Sequence, residues 1–171
     1  MQKKLNEKEI CQKECEAKCC KHYYITLLPF EAKKLAKSLK ISLTDFLQKY
    51  AIQYFKEISF ESSGKKILLQ NIALKRIEGK CIMLSDENLC KAYSARPKQC
   101  KLFPFLALDE SSDIKKAYQF CLLVQQSCRK PTFDKKHYEK VKQYYQDVEE
   151  KGFENVWGTI VNEKVVERKK I

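Results

Sequence analysis

Nine cysteines in 171 residues, four of them between Cys11 and Cys20, constrain this chain more than any other feature. A single buried cysteine behaves as a small hydrophobe. A group of four within ten positions, flanked by charged residues, is not what a packed core asks for. The opening segment MQKKLNEKEI carries charges and no apolar h-region, so no secretory signal is expected and the cytoplasm is the expected compartment. In a reducing cytosol clustered thiols mean metal or redox chemistry more often than disulfides, and an odd number suits a disulfide framework poorly.

Composition removes several function classes. Four glycines leave no Gly-rich phosphate loop of either the Walker or the dinucleotide type. Two histidines, His22 and His137, leave little room for a His-based triad or a multi-His metal centre. The longest apolar run is Leu102–Leu108, interrupted by Pro104, whereas a spanning helix needs roughly 20 apolar residues. No membrane partner is therefore expected. A 44% hydrophobic content is too high for a disordered polyelectrolyte, and the length suits one domain, read as residues 5–167.

The cysteine spacing carries the chemistry. On a helix, Cys11, Cys15 and Cys19 would form a stripe one turn apart, with Cys20 about 100° round the axis. A straight helix spreads such a stripe too widely for one tetrahedral ion. Either the helix breaks near Cys19 and Cys20, or further ligands come from Cys81, Cys90, Cys100, Cys121 and Cys128. Thiolate sulfur is the natural ligand for zinc and for iron–sulfur clusters. Lys18, Lys21, Lys80, Lys91, Lys101 and Arg129 adjoin cysteines and would favour the thiolate. The spacing is one residue longer than the radical-SAM pattern, and the chain is too short for the barrel such enzymes use.

Element signals give an α+β fold, predominantly helical, a single small domain organised around a cysteine-bound metal centre. Residues 3–22 read as one charged helix and Tyr23–Leu28 as an extended run. A helix follows over Pro29–Leu39, with Pro29 at its first position and Glu31 in its first turn. Ser42 to Asp45 is a capping-box-like start for a helix to about Lys56. Residues 61–66 read as a loop and Ile67–Ile77 as a strand or hairpin arm. Gly79–Leu108 is irregular, with short strands near Cys81–Leu84 and Leu102–Leu108. A polar turn at Asp109–Asp113 and a helix over Ile114–Cys128 follow. Thr132 caps a helix over Phe133–Lys151 that Gly152 stops. Phe153–Val166 is read as a last helix with Trp157 inward, before a basic tail, Arg168 to Lys170.

The ordered set resembles the YkgJ-like CxxCxxCC cysteine-cluster family, whose members are described as zinc- or iron-chelating. The resemblance rests on Cys11–Cys20, which ends in a Cys-Cys pair, and on ITLLPFEAKKLAKSLKISLTDFLQKY at residues 25–50. Its most specific part is GKCIMLSDENLCKAYSARPKQCKLFPF at residues 79–105, with Cys-x-x-Tyr, Arg-Pro-x-x-Cys and an aromatic-Pro-Phe. It implies a metal-ligand set of Cys11, Cys15, Cys19, Cys20, Cys81, Cys90, Cys100 and Cys121. The N-terminal spacing is wider than the family label. Leu122-Leu123 follows Cys121 where Pro-Gly is frequent, so Cys128 competes with Cys121 for the last position.

The remaining candidates read mainly as structural. Arg96 could bind an anion or orient the cluster, but the favoured reading is that it caps local carbonyls or faces the sulfurs, with Pro97 fixing the turn that delivers Cys100. His22 could be a nitrogen ligand, but a lone histidine beside a cluster more often supports a ligand or faces solvent; His137 is read as surface, and Tyr93 as core. Tyr138, Tyr144 and Tyr145, interleaved with Lys135, Lys136, Lys140 and Lys142, could bind nucleic acid. Asp134, Glu139, Asp147, Glu149 and Glu150 interrupt that surface and favour a solvated helix face. The expected function is chelation of zinc or iron ions, or an iron–sulfur cluster, by cysteine thiolates. The alternatives are a redox or metal-dependent enzyme using the cluster, with catalytic residues unknown, and a zinc-stabilised nucleic-acid-binding module. The metal ion is the expected partner; the sequence identifies no protein partner.

Overall fold

The computed structural model describes residues 9–59, 64, 66–103, 121, 133–158 and 161–170. In chain order it has a π-helical turn Ile10–Glu14, α1 (Lys18–His22), β1 (Thr26–Leu27), α2 (Pro29–Ser38), α3 (Leu43–Tyr50), β2 (Ala51–Ser59) and β3 (Lys66–Leu74). There follow β4 (Arg76–Ile77), β5 (Lys80–Cys81), a 3-10 turn Tyr93–Ala95, α4 (Lys98–Leu102), α5 (Lys135–Lys151), α6 (Phe153–Trp157) and β6 (Lys164–Lys170). The class is α+β: a sheet ordered β1-β3-β2-β6 and a small β4-β5 hairpin. Strand β3 runs antiparallel to β1 and β2, while β6 lies parallel to β2.

The sheet is larger than the sequence reading allows, because two segments read as helix form strands. Ser42 does cap α3, accepting from the Asp45 N–H at 3.0 Å, but that helix stops at Tyr50 and β2 begins at once. The residues from Ala51 to Phe55 suit a helix face and a strand almost equally. Pairing with β3 over nine positions, from Ala51↔Leu74 to Ser59↔Lys66, decides for the strand. At the C-terminal side α6 ends at Trp157, where Gly158 at φ 67 closes it. The basic tail then belongs to β6, with Val165 and Val166 in the strand rather than in a helix.

The N-terminal helix is also replaced. Glu16 and Ala17, at φ 51 and φ 54, break it between Cys15 and Cys19. Strand β3 matches the expected Ile67–Ile77 segment, interrupted at Lys75 before β4. The expected strand at Leu102–Leu108 is corrected where it is described, since Leu102 ends α4. Its remainder lies outside the described residues, as do the turn 109–113, nearly all of the helix 114–128, and Thr132. Asp134, not Thr132, caps α5: its carboxylate accepts from the His137 N–H at 2.9 Å. Gly152 stops α5 as expected.

The core lies between the helices and one face of the sheet. Phe46 and Leu47 of α3, Leu35 of α2, Leu27 of β1 and Ile72 of β3 are fully buried. Helix α5 is fixed to β3 through polar contacts as well as apolar ones. The Tyr144 hydroxyl donates to the Gln70 carbonyl at 3.3 Å and accepts from Trp157 Nε1 at 3.1 Å. The buried Asn71 amide exchanges hydrogen bonds with the Tyr145 hydroxyl at 3.1 and 3.2 Å. Trp157 packs inward, as its sequence context predicts.

Candidate metal centre

Three devices bring distant cysteines to one side of this core. The first is Arg76 at the start of β4. Its guanidinium donates to the His22 carbonyl at 2.7 Å and to the carbonyls of Lys21 and Gly79, and it stacks 5.2 Å from the Tyr24 ring centroid. The C-terminal end of α1, carrying Cys19 and Cys20, is thereby held against the hairpin that ends in Cys81. That hairpin turns at Glu78 and Gly79, both at positive φ (49 and 77), as a two-residue type I′ turn needs.

The second device is a pair of tight turns. Leu84 N–H donates to the Cys81 carbonyl at 2.8 Å and Tyr93 N–H to the Cys90 carbonyl at 3.1 Å. A backbone bridge joins Leu84 to Cys90. In each turn the amide two residues on donates to sulfur: Met83 N–H to Cys81 and Ala92 N–H to Cys90. Amide donors stabilise a thiolate over a thiol. Gln12 Nε2 donates to the Glu87 carbonyl at 3.2 Å, tying the π-helical turn of Cys11 to the loop before Cys90.

The third device is Glu31. Its buried carboxylate accepts from the Leu28 N–H at 3.0 Å and from the Lys98 N–H at 2.7 Å. One side chain therefore closes the start of α2 and seats the start of α4, which carries Cys100. Gln99 adds a bond from its amide to the Thr26 carbonyl.

The thiols feel one another. Cys19 and Cys20 have sulfurs 4.0 Å apart and share a hydrogen bond. That bond holds Cys19 down at about 7 and pushes Cys20 up. Burial first, then repulsion from Cys19, Cys15 and Cys121, raises Cys11 to about 12. Burial first, then neighbouring sulfurs, raises Cys81 to about 11 and raises Cys90 and Cys100. Cys15, Cys81 and Cys121 are buried, and Cys11, Cys19, Cys20, Cys90 and Cys100 are partly buried. Cys128 lies outside the described residues.

Two guanidinium groups oppose this trend: Arg76 works against the burial-driven rise at Cys81. Arg96 favours the thiolate at Cys19 and works against the burial-driven rise at Cys11, Cys90 and Cys100. Its Nε donates to the Tyr93 carbonyl at 3.1 Å, and its guanidinium lies 3.7 Å from the Tyr93 ring centroid. Both readings of Arg96 therefore hold. The lysines next to cysteines in sequence do not play this part: Lys18, Lys91 and Lys101 are exposed, and Lys80 pairs with Asp86 at 3.1 Å. Tyr93 is 38% exposed, not core, because Arg96 rather than apolar packing covers its ring. His137 is partly buried, not surface, since α5 starts against α2 and α4. His22 is exposed. The sequence reading missed Glu31 and Arg76 as organisers. Glu31 in the first turn after Pro29 was visible, but its partner Lys98 was not.

Among the described residues no three His, Cys, Asp or Glu side chains converge as a metal-holding group. The donor chemistry nonetheless fits a thiophilic ion. The groups that perturb one another are thiols, with backbone amide donors on Cys19, Cys81 and Cys90 and the Arg96 charge acting on four of them.

Fold and sulfur arrangement define a small cysteine-rich α+β protein. The chain belongs to the CxxCxxCC family, described as a "putative zinc- or iron-chelating domain", whose model matches residues 10–144. No solved structure matches the chain. Among the described residues no helix is long and apolar enough to cross a membrane.

Proposed function

We propose that the chain binds zinc or iron through two adjacent four-thiolate sets. One set is Cys11, Cys15, Cys19 and Cys121; the other is Cys20, Cys81, Cys90 and Cys100. The observation that supports this is the pattern of thiol repulsion. Beyond burial, Cys11 is raised by Cys19, Cys15 and Cys121, whereas Cys20 is raised by Cys19, Cys81 and Cys100, and Cys100 by Cys81, Cys19 and Cys90. Cys19 faces both sets, so the vicinal pair is the seam between them.

In this reading the protein supplies sulfur, amide donors at Cys19, Cys81 and Cys90, and the Arg96 charge, which offsets the excess negative charge of thiolate centres. Zinc held this way would be stored or structural, and an iron–sulfur cluster on the same ligands would carry electrons. Thiolate ligands suit a reducing compartment such as the cytoplasm.

Air-free purification, elemental analysis and a visible spectrum test the reading. Brown protein with acid-labile sulfide identifies an iron–sulfur cluster, and colourless protein with zinc a Cys-rich zinc site. Cys→Ser at Cys20, Cys81, Cys90 or Cys100 should each remove the same share of the metal. Full metal content in all four variants would overturn the assignment.

A further inference from the structure

A cavity of about 450 Å³ opens where the end of α3, β4 and the segment leading into β6 meet. Its charged lining is unbalanced: Lys49, Lys75 and Arg76 share it with one carboxylate, Glu163. The other lining side chains are aromatic or apolar: Tyr24, Ile52, Ile77 and Ile82. Ile77 is 53% exposed, which leaves an apolar group open to contact, whereas Ile52 is buried.

The charged groups are set in place by the fold. The Lys75 side chain is only 15% exposed; its Nζ donates to the Gln48 carbonyl at 2.9 Å and to the Glu163 carboxylate. Glu163 is anchored through its backbone, where its carbonyl accepts from the Gln53 N–H at 2.7 Å. Gln53 Nε2 also donates to the Val161 carbonyl at 2.8 Å, which fixes the same segment. The Glu163 carboxylate, by contrast, is 63% exposed. The sheltered ammonium thus pairs with a solvated anion that another anion can displace. Arg76 is held by the carbonyls of Lys21, His22 and Gly79 and by the Tyr24 ring. Lys49 is exposed and has no ion-pair partner among the described residues. An ammonium carries three N–H donors and a guanidinium five. Each of the three cations therefore keeps an N–H without an acceptor among the described residues.

The excess of positive charge excludes an organic cation as the occupant. A bare inorganic anion would meet the cations and leave the isoleucines in water. The volume falls within the usual range for small-molecule sites, about 300–1,000 Å³. We infer that this cavity binds a small organic acid, a carboxylate carrying one ring or a short aliphatic chain. The carboxylate sits among Lys49, Lys75 and Arg76, and the apolar body lies against Tyr24, Ile52, Ile77 and Ile82. Glu163 holds part of the anion's place and competes with it for Lys75. No cysteine lines the cavity among the described residues, so the inference does not rest on the metal reading.

Calorimetric titration of the full chain as purified, at low salt, with benzoate and with hexanoate tests this. At least one of the two acids should bind. Benzamide, which keeps the ring and loses the charge, should bind at least tenfold more weakly than benzoate, and inorganic phosphate should bind more weakly than the better acid. Lys49→Glu should weaken binding at least fivefold. Glu163→Gln should strengthen it at least threefold, because the competing carboxylate is gone. Lys140→Glu, on α5 and outside this lining, should leave affinity unchanged. Absence of binding to both acids at about 10 mM, enough to fill a millimolar site, overturns the inference. So does phosphate binding as tightly as the better acid, or affinity that neither Lys49→Glu nor Glu163→Gln alters. The last result would place the carboxylate elsewhere, for instance on a cysteine-held metal.

Discussion

Glu31 is a buried carboxylate whose two oxygens answer two backbone donors, Leu28 N–H and Lys98 N–H. Removing it leaves both donors without an acceptor in a place water reaches poorly. Glu31→Ala should cost about 2–4 kcal/mol by urea unfolding, while Glu31→Gln, which keeps one acceptor, should cost less. Equal losses would mean that the carboxylate charge, not acceptor geometry, matters. The thiols give a second prediction. Burial raises Cys11 from 9.0 to about 12 and Cys81 to about 11, so both are protonated near neutrality and a metal ion must displace their protons. Zinc affinity should therefore rise with pH between 6 and 8, and calorimetry in two buffers of different ionisation heat should show several protons released per ion. One proton or none would contradict the burial account. For metal-free protein the sign reverses. A thiol whose folded pKa is raised contributes stability that is present below its unfolded value near 9.0 and is lost as pH climbs towards about 11 to 12. Chelated protein should melt at a lower temperature at pH 10 than at pH 8.

At the scale of elements, what the sequence reveals depends on whether the deciding contact is local. The start of α2 at Pro29, the Ser42 cap of α3 and the Gly152 stop of α5 are all written within four residues of where they act, and all three are found. The switch from α3 to β2 at Ala51 is not local. It depends on β3, whose partner residues lie as far away as Leu74. The same holds for β6, which finds β2 more than a hundred residues back in the chain, with Gln53 opposite Lys164. Gly152 allows a sharp test. It sits at φ 83 and ψ 150, a region essentially closed to residues with a Cβ, and joins α5 to α6. Among the described residues a methyl group there would meet Asn155 Nδ2, at 4.0 Å, which is ordinary contact. Gly152→Ala should destabilise by about 1–3 kcal/mol through backbone strain alone. A cost below a few tenths would show that the joint relaxes. Arg76 is the counterpart between elements. A lysine has no planar fork with which to reach three carbonyls. Arg76→Lys should thus lower metal content at the Cys20 set while leaving the β2–β3 ladder intact by circular dichroism.

For the whole molecule, the backbone holds the core and the cysteine-bearing segments unequally. Strands β2 and β3 pair over nine residues each and lie against the buried core. The cysteine-bearing region is built from two-residue strands β4 and β5, a three-residue 3-10 turn and the five-residue α4. Elements that short have few ladder or helix bonds of their own and draw their order from side-chain clamps such as Arg76 and Glu31 and, in the proposed function, from a thiolate-bound metal. This also explains what the sequence shows and what it hides: the cysteine density is plain in the sequence, but which cysteines lie near one another depends on the path from Cys20 to Cys81, and Arg76 and Glu31 set that path from outside the motif. The consequence is a separation of stabilities within one chain. Hydrogen exchange of metal-loaded protein should show residues 76–103 and 9–22 protected along with the sheet. After chelation those two segments should exchange at least tenfold faster, while β2 and β3 keep most of their protection. Uniform loss across the chain would mean that the metal supports the core itself, and no change in 76–103 would mean that Arg76 and Glu31 hold the region without it.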